Sequence, residues 1–196
     1  MASPSPPAGD PPEATRYEVD AAGRISRVGG GWDAFARDNG AANLAAGAVV
    51  GRRLGDFITE PATRALYDSL LLRVRAGRRL TVPFRCDGPA VRRFMELAME
   101  PGPEGSVRFE ALLLSAEPRA PVALLDAAAP RSPEFLKVCA WCRMVEVAEE
   151  WREVEEAVEA LGLFDARALP AITHGICPRC RAAVMAGATS GPGRGT

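Results

Sequence analysis

Apolar positions along the chain change period several times, and each change marks an element. Around Tyr17-Glu-Val19 and Arg24-Ile25, apolar and polar residues alternate on either side of Asp20-Ala-Ala-Gly23, which predicts a β-hairpin. Trp32, Phe35 and Ala36 recur at i, i+3 and i+4, and Asn39-Gly40 closes that short helix with residues that tolerate a left-handed cap. A broader stripe, Leu66, Leu70 and Val74 reinforced by Tyr67 and Leu71, predicts a longer helix that begins after Glu60-Pro61 and stops at Gly77. The period then drops to two. Residues 80–84, 93–99 and 107–112 read as three strands, joined by Asp87-Gly-Pro and Pro101-Gly-Pro-Glu-Gly turns.

A hairpin, short helices, one longer helix and three closing strands describe an α+β domain over residues 16–116. Residues 117–133 carry four prolines among small residues and read as a linker, so the parts on either side are expected to form separate cores. A second, smaller folded part spans 134–186. Within it Trp151, Val154, Val158 and Leu161 share one face and Gly162 follows as a stop, which predicts a helix over about 149–161. Residues 1–15 and 187–196 are rich in Pro, Gly, Ala and Ser and are expected to be disordered tails.

The smaller part holds the chemistry. Cys139-Ala-Trp-Cys142 and Cys177-Pro-Arg-Cys180 are two C-x2-C knuckles separated by 34 residues. Each such turn brings two thiolates to one side of a tight loop, and two of them supply the four soft ligands of a tetrahedral zinc ion. Four thiolates leave no open position, so the expected role is structural rather than catalytic. A part this small is marginal by burial alone, and metal bonds supply the missing folding energy. Iron, or a metal-free redox dithiol, remains an alternative occupant or state of the same residues. His174, three residues before Cys177, has three readings: a ligand replacing one cysteine, a hydrogen-bond donor to a ligand thiolate from the second shell, or a packing residue. The second is preferred because four cysteines already satisfy zinc. Cys86 has no cysteine neighbour in sequence and reads as a small packing residue.

Charge is nearly balanced overall, at −1, but unevenly placed. Residues 51–95 hold ten arginines and four acids, whereas residues 139–180 hold eight acids and four arginines. The acidic cysteine module argues against phosphate binding. The arginines Arg64, Arg73, Arg75, Arg78 and Arg79 are expected to face an acidic protein surface, either the chain's own cysteine module or a dimer mate, the alternative being a solvated face. No stretch approaches the roughly 20 apolar residues of a membrane span and no secretory signal opens the chain, so a cytoplasmic location without membrane contact is expected. Lys137 is the only lysine among 24 basic residues; with abundant Ala, Gly and Pro this is the composition of a GC-rich bacterial genome.

The order of elements, Val19-Asp-x-x-Gly23-Arg-Ile, Trp32-x-x-Phe35, Gly51-Arg-x-Leu-x-Asp-Phe57-Ile and the closing strands resemble the PAS family of bacterial sensor domains over about 16–116. That resemblance implies a five-stranded antiparallel sheet with helices on one face, often around a small ligand pocket; Phe57, Ile58, Tyr67 and Phe84 are the candidates to line it, with core packing as their other role. Where flavin photosensors of the family carry a reactive cysteine this chain has Leu54, so no flavin-thiol adduct is expected. Haem is not expected either, since residues 16–116 contain no histidine. Residues 139–180 resemble the cysteine-rich tail of some bacterial signalling proteins, with Cys-x-Trp-Cys, Trp151 and His-Gly-Ile-Cys-Pro-x-Cys. Together the resemblances imply a non-enzymatic cytoplasmic signalling protein that acts through a protein partner or as a homodimer. The rivals are a zinc-ribbon nucleic-acid-binding regulator and a rubredoxin-like iron electron carrier.

Overall fold

The protein is described here by a computed structural model covering residues 14–187. The two expected tails, 1–15 and 187–196, fall almost wholly outside the described residues. Two sheets make up the fold.

The first sheet is antiparallel and has five strands: β1 (Thr15–Val19), β2 (Ile25–Gly30), β3 (Leu80–Arg85), β4 (Val91–Pro101) and β5 (Val107–Pro118). Their spatial order is β2-β1-β5-β4-β3. The β1–β2 turn forms because Gly23 takes φ 79°, where a Cβ would be strained, and because the Asp20 carboxylate accepts the Arg24 backbone N–H at 2.8 Å. Between β2 and β3 the chain makes α1 (Trp32–Asp38), α2 (Ala46–Val49) and α3 (Pro61–Arg75). The Glu60 carboxylate caps α3 by accepting the N–H groups of Ala62 (2.9 Å) and Thr63 (2.6 Å), and Pro61 occupies the first turn, where no N–H is needed.

Period-two alternation gives the sheet two unlike faces. Val19, Leu80, Val82, Leu97, Met99, Val107 and Phe109 are buried in one core with Leu66, Leu70, Leu71 and Val74 of α3. Truncating a fully buried member such as Leu70 to alanine should cost about 2–5 kcal/mol. Residues between them form a charged outer ladder, in which Arg16 pairs with Glu110 at 2.6 Å and Arg27 with Glu18 at 2.8 Å.

The second sheet follows the order β8-β7-β6-β9, built from β6 (Arg131–Cys139), β7 (Val145–Val147), β8 (Glu150–Arg152) and β9 (Leu169–Gly175). Strands β6 and β9 run parallel, with Cys139 opposite Gly175, and the chain between them includes α4 (Val154–Ala160). A final helix, α5 (Pro178–Gly187), begins directly after Cys177. A second core joins Leu136, Val138, Val145, Val154, Ala157, Val158 and Leu169.

Three expectations are corrected here. The helix expected over 149–161 is confined to Val154–Ala160, and Trp151 sits instead on β8. The reason is a two-residue hairpin at Ala148 and Glu149, with φ of 50° and 69°, whose sequence carries none of the glycine or asparagine that usually announces such a turn. Residues 117–133 do not run free between the parts: β5 continues to Pro118, and Val122 and Leu124 are buried in the second core. Nor are the cores segregated, because Cys139, Trp141, Cys177 and Val184 belong to the core of the first sheet.

Candidate metal centre

Parallel pairing brings the two knuckles together. Because β6 and β9 run side by side in the same direction, both end at the same edge of the sheet, and each C-x2-C emerges from one of those ends. The Ala140 N–H donates to the Gly175 carbonyl at 2.8 Å, which carries the pairing into the first knuckle. That knuckle is closed by Cys139 N–H to Met144 O (2.8 Å) and Arg143 N–H to Cys139 O (3.0 Å), with Arg143 at φ 63°. The second is held by helix start: Cys177 precedes α5, Cys180 lies in its first turn, and Arg181 N–H reaches Cys177 O at 2.9 Å.

The sulfurs of Cys139, Cys142, Cys177 and Cys180 all lie within 4.8 Å of one another, and all four residues are free thiols. Cys142 Sγ and Cys177 Sγ are 3.8 Å apart, nearly twice a disulfide bond. A tetrahedron with metal–sulfur bonds of about 2.3 Å has an edge of about 3.8 Å, so this separation suits a shared ion. Backbone N–H groups already point at the sulfurs, Cys177 N–H at Cys139 Sγ (3.4 Å) and Cys180 N–H at Cys177 Sγ (3.3 Å). These four cysteines could hold a metal ion.

Hydrogen bonds from the Cys142 and Cys180 side chains hold Cys139 far below the usual thiol range. The bond with Cys139 pushes Cys142 up to about 11, and the bonds with Cys139 and Cys142 push Cys180 higher still. The Cys139 thiolate thus opposes ionisation of Cys142 and Cys180, and a cation at the centre would favour their loss of protons. Arg143 adds positive charge nearby, although burial lowers its pKa, and its buried Nε has no hydrogen-bond partner.

His174 is exposed on β9 opposite Val138, and its Nε2 lies 3.2 Å from Arg143 Nη1. Its ring therefore meets an arginine, and among the described residues no hydrogen bond joins it to a cysteine sulfur, unlike the expected bond to a thiolate. The parallel register decides this, because residues 174 and 175 are consumed in strand pairing before the chain turns toward the sulfurs.

Trp141, between the first two cysteines, is 4% exposed and connects the centre to the first sheet. Its carbonyl accepts the Arg85 N–H at the end of β3 (2.7 Å), and its ring packs on Tyr67 of α3 with centroids 5.3 Å apart. Beside it lies a cavity of about 280 Å³. Tyr67 and Phe84 line it; Phe57 and Ile58 do not. Phe57 lies beneath the Arg52 guanidinium at 4.6 Å, and Ile58 borders a separate depression with Arg64 and Asp68. Leu54 begins a short 3-10 turn, Leu54–Phe57, and also borders that depression. Cys86 reaches the cavity wall, and burial raises its pKa, as befits a packing thiol.

The arginines singled out in the sequence go to different places. Arg64 donates to Ile58 O (2.7 Å), Arg75 to Asp20 O (2.7 Å), and Arg79 pairs with Glu100 at 3.3 Å. Arg78 is exposed. Arg73 alone reaches the cysteine module, donating to Met185 O in the last turn of α5 at 3.0 Å. Sequence reasoning missed the ion network that joins the two parts. Asp87, with its side chain 0% exposed, pairs with Arg85 and Arg119; Arg85 continues to Glu153 (2.8 Å), Arg119 to Glu155 (3.3 Å), and Arg92 to Glu155 (2.7 Å). Burial opposes the Arg85 charge, but Asp87 and Glu153 more than offset it and raise its pKa. The opposite charge excess of the two parts was the available signal; which arginines used it was not. Compared with known proteins, the chain matches no family model, and no curated protein is similar to it.

Proposed function

We propose that this chain is a non-enzymatic cytoplasmic signalling or regulatory protein, in which a PAS-like sensor or interaction unit (16–116) is joined to a structural-zinc module (134–186). The observation that carries the reading is the position of Trp141: it belongs at once to one of the two knuckles whose four thiols converge and to the core of the five-stranded sheet. A closed tetrathiolate leaves no ligand position for water or substrate, and its natural contribution is to hold a wall of the first unit in place. Zinc is favoured over iron because it binds such a set without redox chemistry. The PAS-like reading is supported by the five-stranded antiparallel sheet with α3 packed on its inner face, and by the cavity beneath that packing. Among the described residues no helix is long and apolar enough to cross a membrane. Output passes through a protein partner or a second copy.

Metal analysis of the purified chain tests the centre. One zinc per chain is expected, lost with proton uptake when a chelator is added. Replacing zinc by cobalt should produce the visible bands of a tetrahedral thiolate site. Iron at one equivalent with a reversible redox couple would select the electron carrier instead. Absence of any metal, with the thiols titratable, would refute a metal centre.

A further inference from the structure

The cavity beside the knuckle has a composition that narrows what it can take. At about 280 Å³ it lies just below the usual span of ligand pockets, about 300–1,000 Å³, which favours a small occupant. Its walls include Tyr17, Trp32, Phe35, Tyr67, Phe84 and Trp141, and among the described residues no charged one lines it. An ion inside would lose its hydration without a counter-charge, so a charged occupant is disfavoured. The Tyr17 ring is stacked on Phe109 at 4.4 Å, which fixes its position, and burial raises the pKa of both tyrosines, Tyr67 to about 12. Both phenols are therefore protonated donors at neutral pH. Flat aromatic walls with hydroxyl donors suit a planar, uncharged molecule carrying a hydrogen-bond acceptor.

The second observation concerns what Trp141 separates. It lines this cavity on one side, and on the other a groove of about 510 Å³ bordered by Cys142, Cys180, Phe94 and Leu114. Phe84 and Met95 border both spaces as well, so Trp141 is part of the partition between them. Its backbone is fixed on both sides by cysteines that a metal would hold, and by one hydrogen bond to Arg85. Without the metal, the two knuckles have no covalent tie and the partition loses its anchor.

We propose that the cavity binds a neutral, planar one- or two-ring molecule with a hydrogen-bond acceptor, and that this binding and metal binding at Cys139, Cys142, Cys177 and Cys180 strengthen each other through Trp141. The proposal rests on the tetrathiolate reading above and adds a ligand class and a linkage to it. Each ligand selects the arrangement in which Trp141 closes the cavity, so the coupling is reciprocal: whatever factor metal adds to the ligand's affinity, the ligand adds to the metal's.

The test uses the full chain, with 2-naphthol as the neutral probe and 2-naphthoate as its charged counterpart. Calorimetry on zinc-loaded protein should show one 2-naphthol site and binding of 2-naphthoate at least tenfold weaker. Competition with a chelator should show zinc affinity rising at least fivefold when 2-naphthol is saturating, within the span of about 5–150-fold usual for allosteric coupling. Ala111→Leu, which adds side-chain volume to the cavity from β5 and leaves all four cysteines in place, should abolish probe binding while retaining one zinc per chain. Trp141→Ala should retain zinc and lose the coupling. A zinc-loaded protein that fails to bind 2-naphthol, that binds it equally well as Ala111→Leu, or whose zinc affinity ignores the probe overturns the proposal and leaves the metal reading standing. A chain that takes up no metal overturns both.

Discussion

Replacing Asp87 by alanine should be the most damaging single change at the junction of the two parts. Its carboxylate is inaccessible to solvent and accepts from Arg85 Nε (3.3 Å) and Nη2, from Arg119 Nη1 (3.4 Å), and from the Arg93 backbone N–H (3.2 Å). The side chains it neutralises are themselves only 12% and 6% exposed, so its loss leaves two guanidiniums buried without their shared counter-charge. Breaking a buried pair by removing one partner costs about 3–5 kcal/mol. Glu153 and Glu155 remain in place, one-third exposed, and compensate in part, which puts the expectation near the lower limit, about 3 kcal/mol. For a domain of this size that is a fall in melting temperature of about 6–12 °C. Urea unfolding followed by tryptophan fluorescence measures it, since Trp141 and Trp151 lie on the cysteine-module side of this junction. Asp87→Asn retains the shape and an acceptor but not the charge, and should fall between alanine and wild type. Glu153→Ala, at the rim, should cost about 1 kcal/mol or less. If Asp87→Ala lies within 1 kcal/mol of wild type, or Glu153→Ala costs as much, the network does not hold the two parts together and apolar packing alone does.

Cys177→Ser should remove the metal and, because Cys139, Trp141 and Cys177 share a core with α3, should also expose residues 16–116 to protease; a fully protected 16–116 fragment would show independent cores instead. Glu155 is held below its usual pKa, since burial raises it but its own backbone N–H, Arg92 and Arg119 lower it more. Its contribution is therefore present above about pH 4.5 and lost as pH falls through the lower folded value, so Glu155→Gln should flatten the loss of stability between about pH 5 and 3 relative to wild type. Metal release on acidification is common to both proteins and cancels in that difference; identical slopes would remove Glu155 from the account. Cys86, raised by burial, should react slowly with iodoacetamide at neutral pH in the metal-loaded protein, faster as pH climbs, and Cys86→Ala should keep one metal per chain.

Much of the first sheet was legible because its elements are long and repeat cleanly. The 15 residues of α3 show four buried positions at helical spacing plus Thr63, and β3 to β5 are six or more residues long, each with a stretch of alternation. The second sheet was not legible. Strands β7 and β8 have three residues each, too few to establish a period, and Pro133 and Pro170 interrupt β6 and β9. Trp151 fitted a helical face with Val154 and Val158 only because i, i+3 and i+7 spacing cannot tell an adjoining strand from another helical turn.

The residue types alone singled out the four cysteines that the fold brings together. Two C-x2-C pairs carry their local geometry in the spacing, and cysteine is the one side chain that offers a soft, ionisable donor there. How those pairs meet was decided by tertiary structure, through the parallel register that sets Cys139 beside Gly175. The same holds for the other contacts that matter. Trp141 reads as one more aromatic in a knuckle, and Asp87 as a turn residue, until the fold sets the one against Tyr67 and the other between Arg85 and Arg119. Spacing along a chain encodes contacts within a turn or a strand, whereas contacts between residues far apart in sequence depend on how whole elements pack, which no local pattern contains.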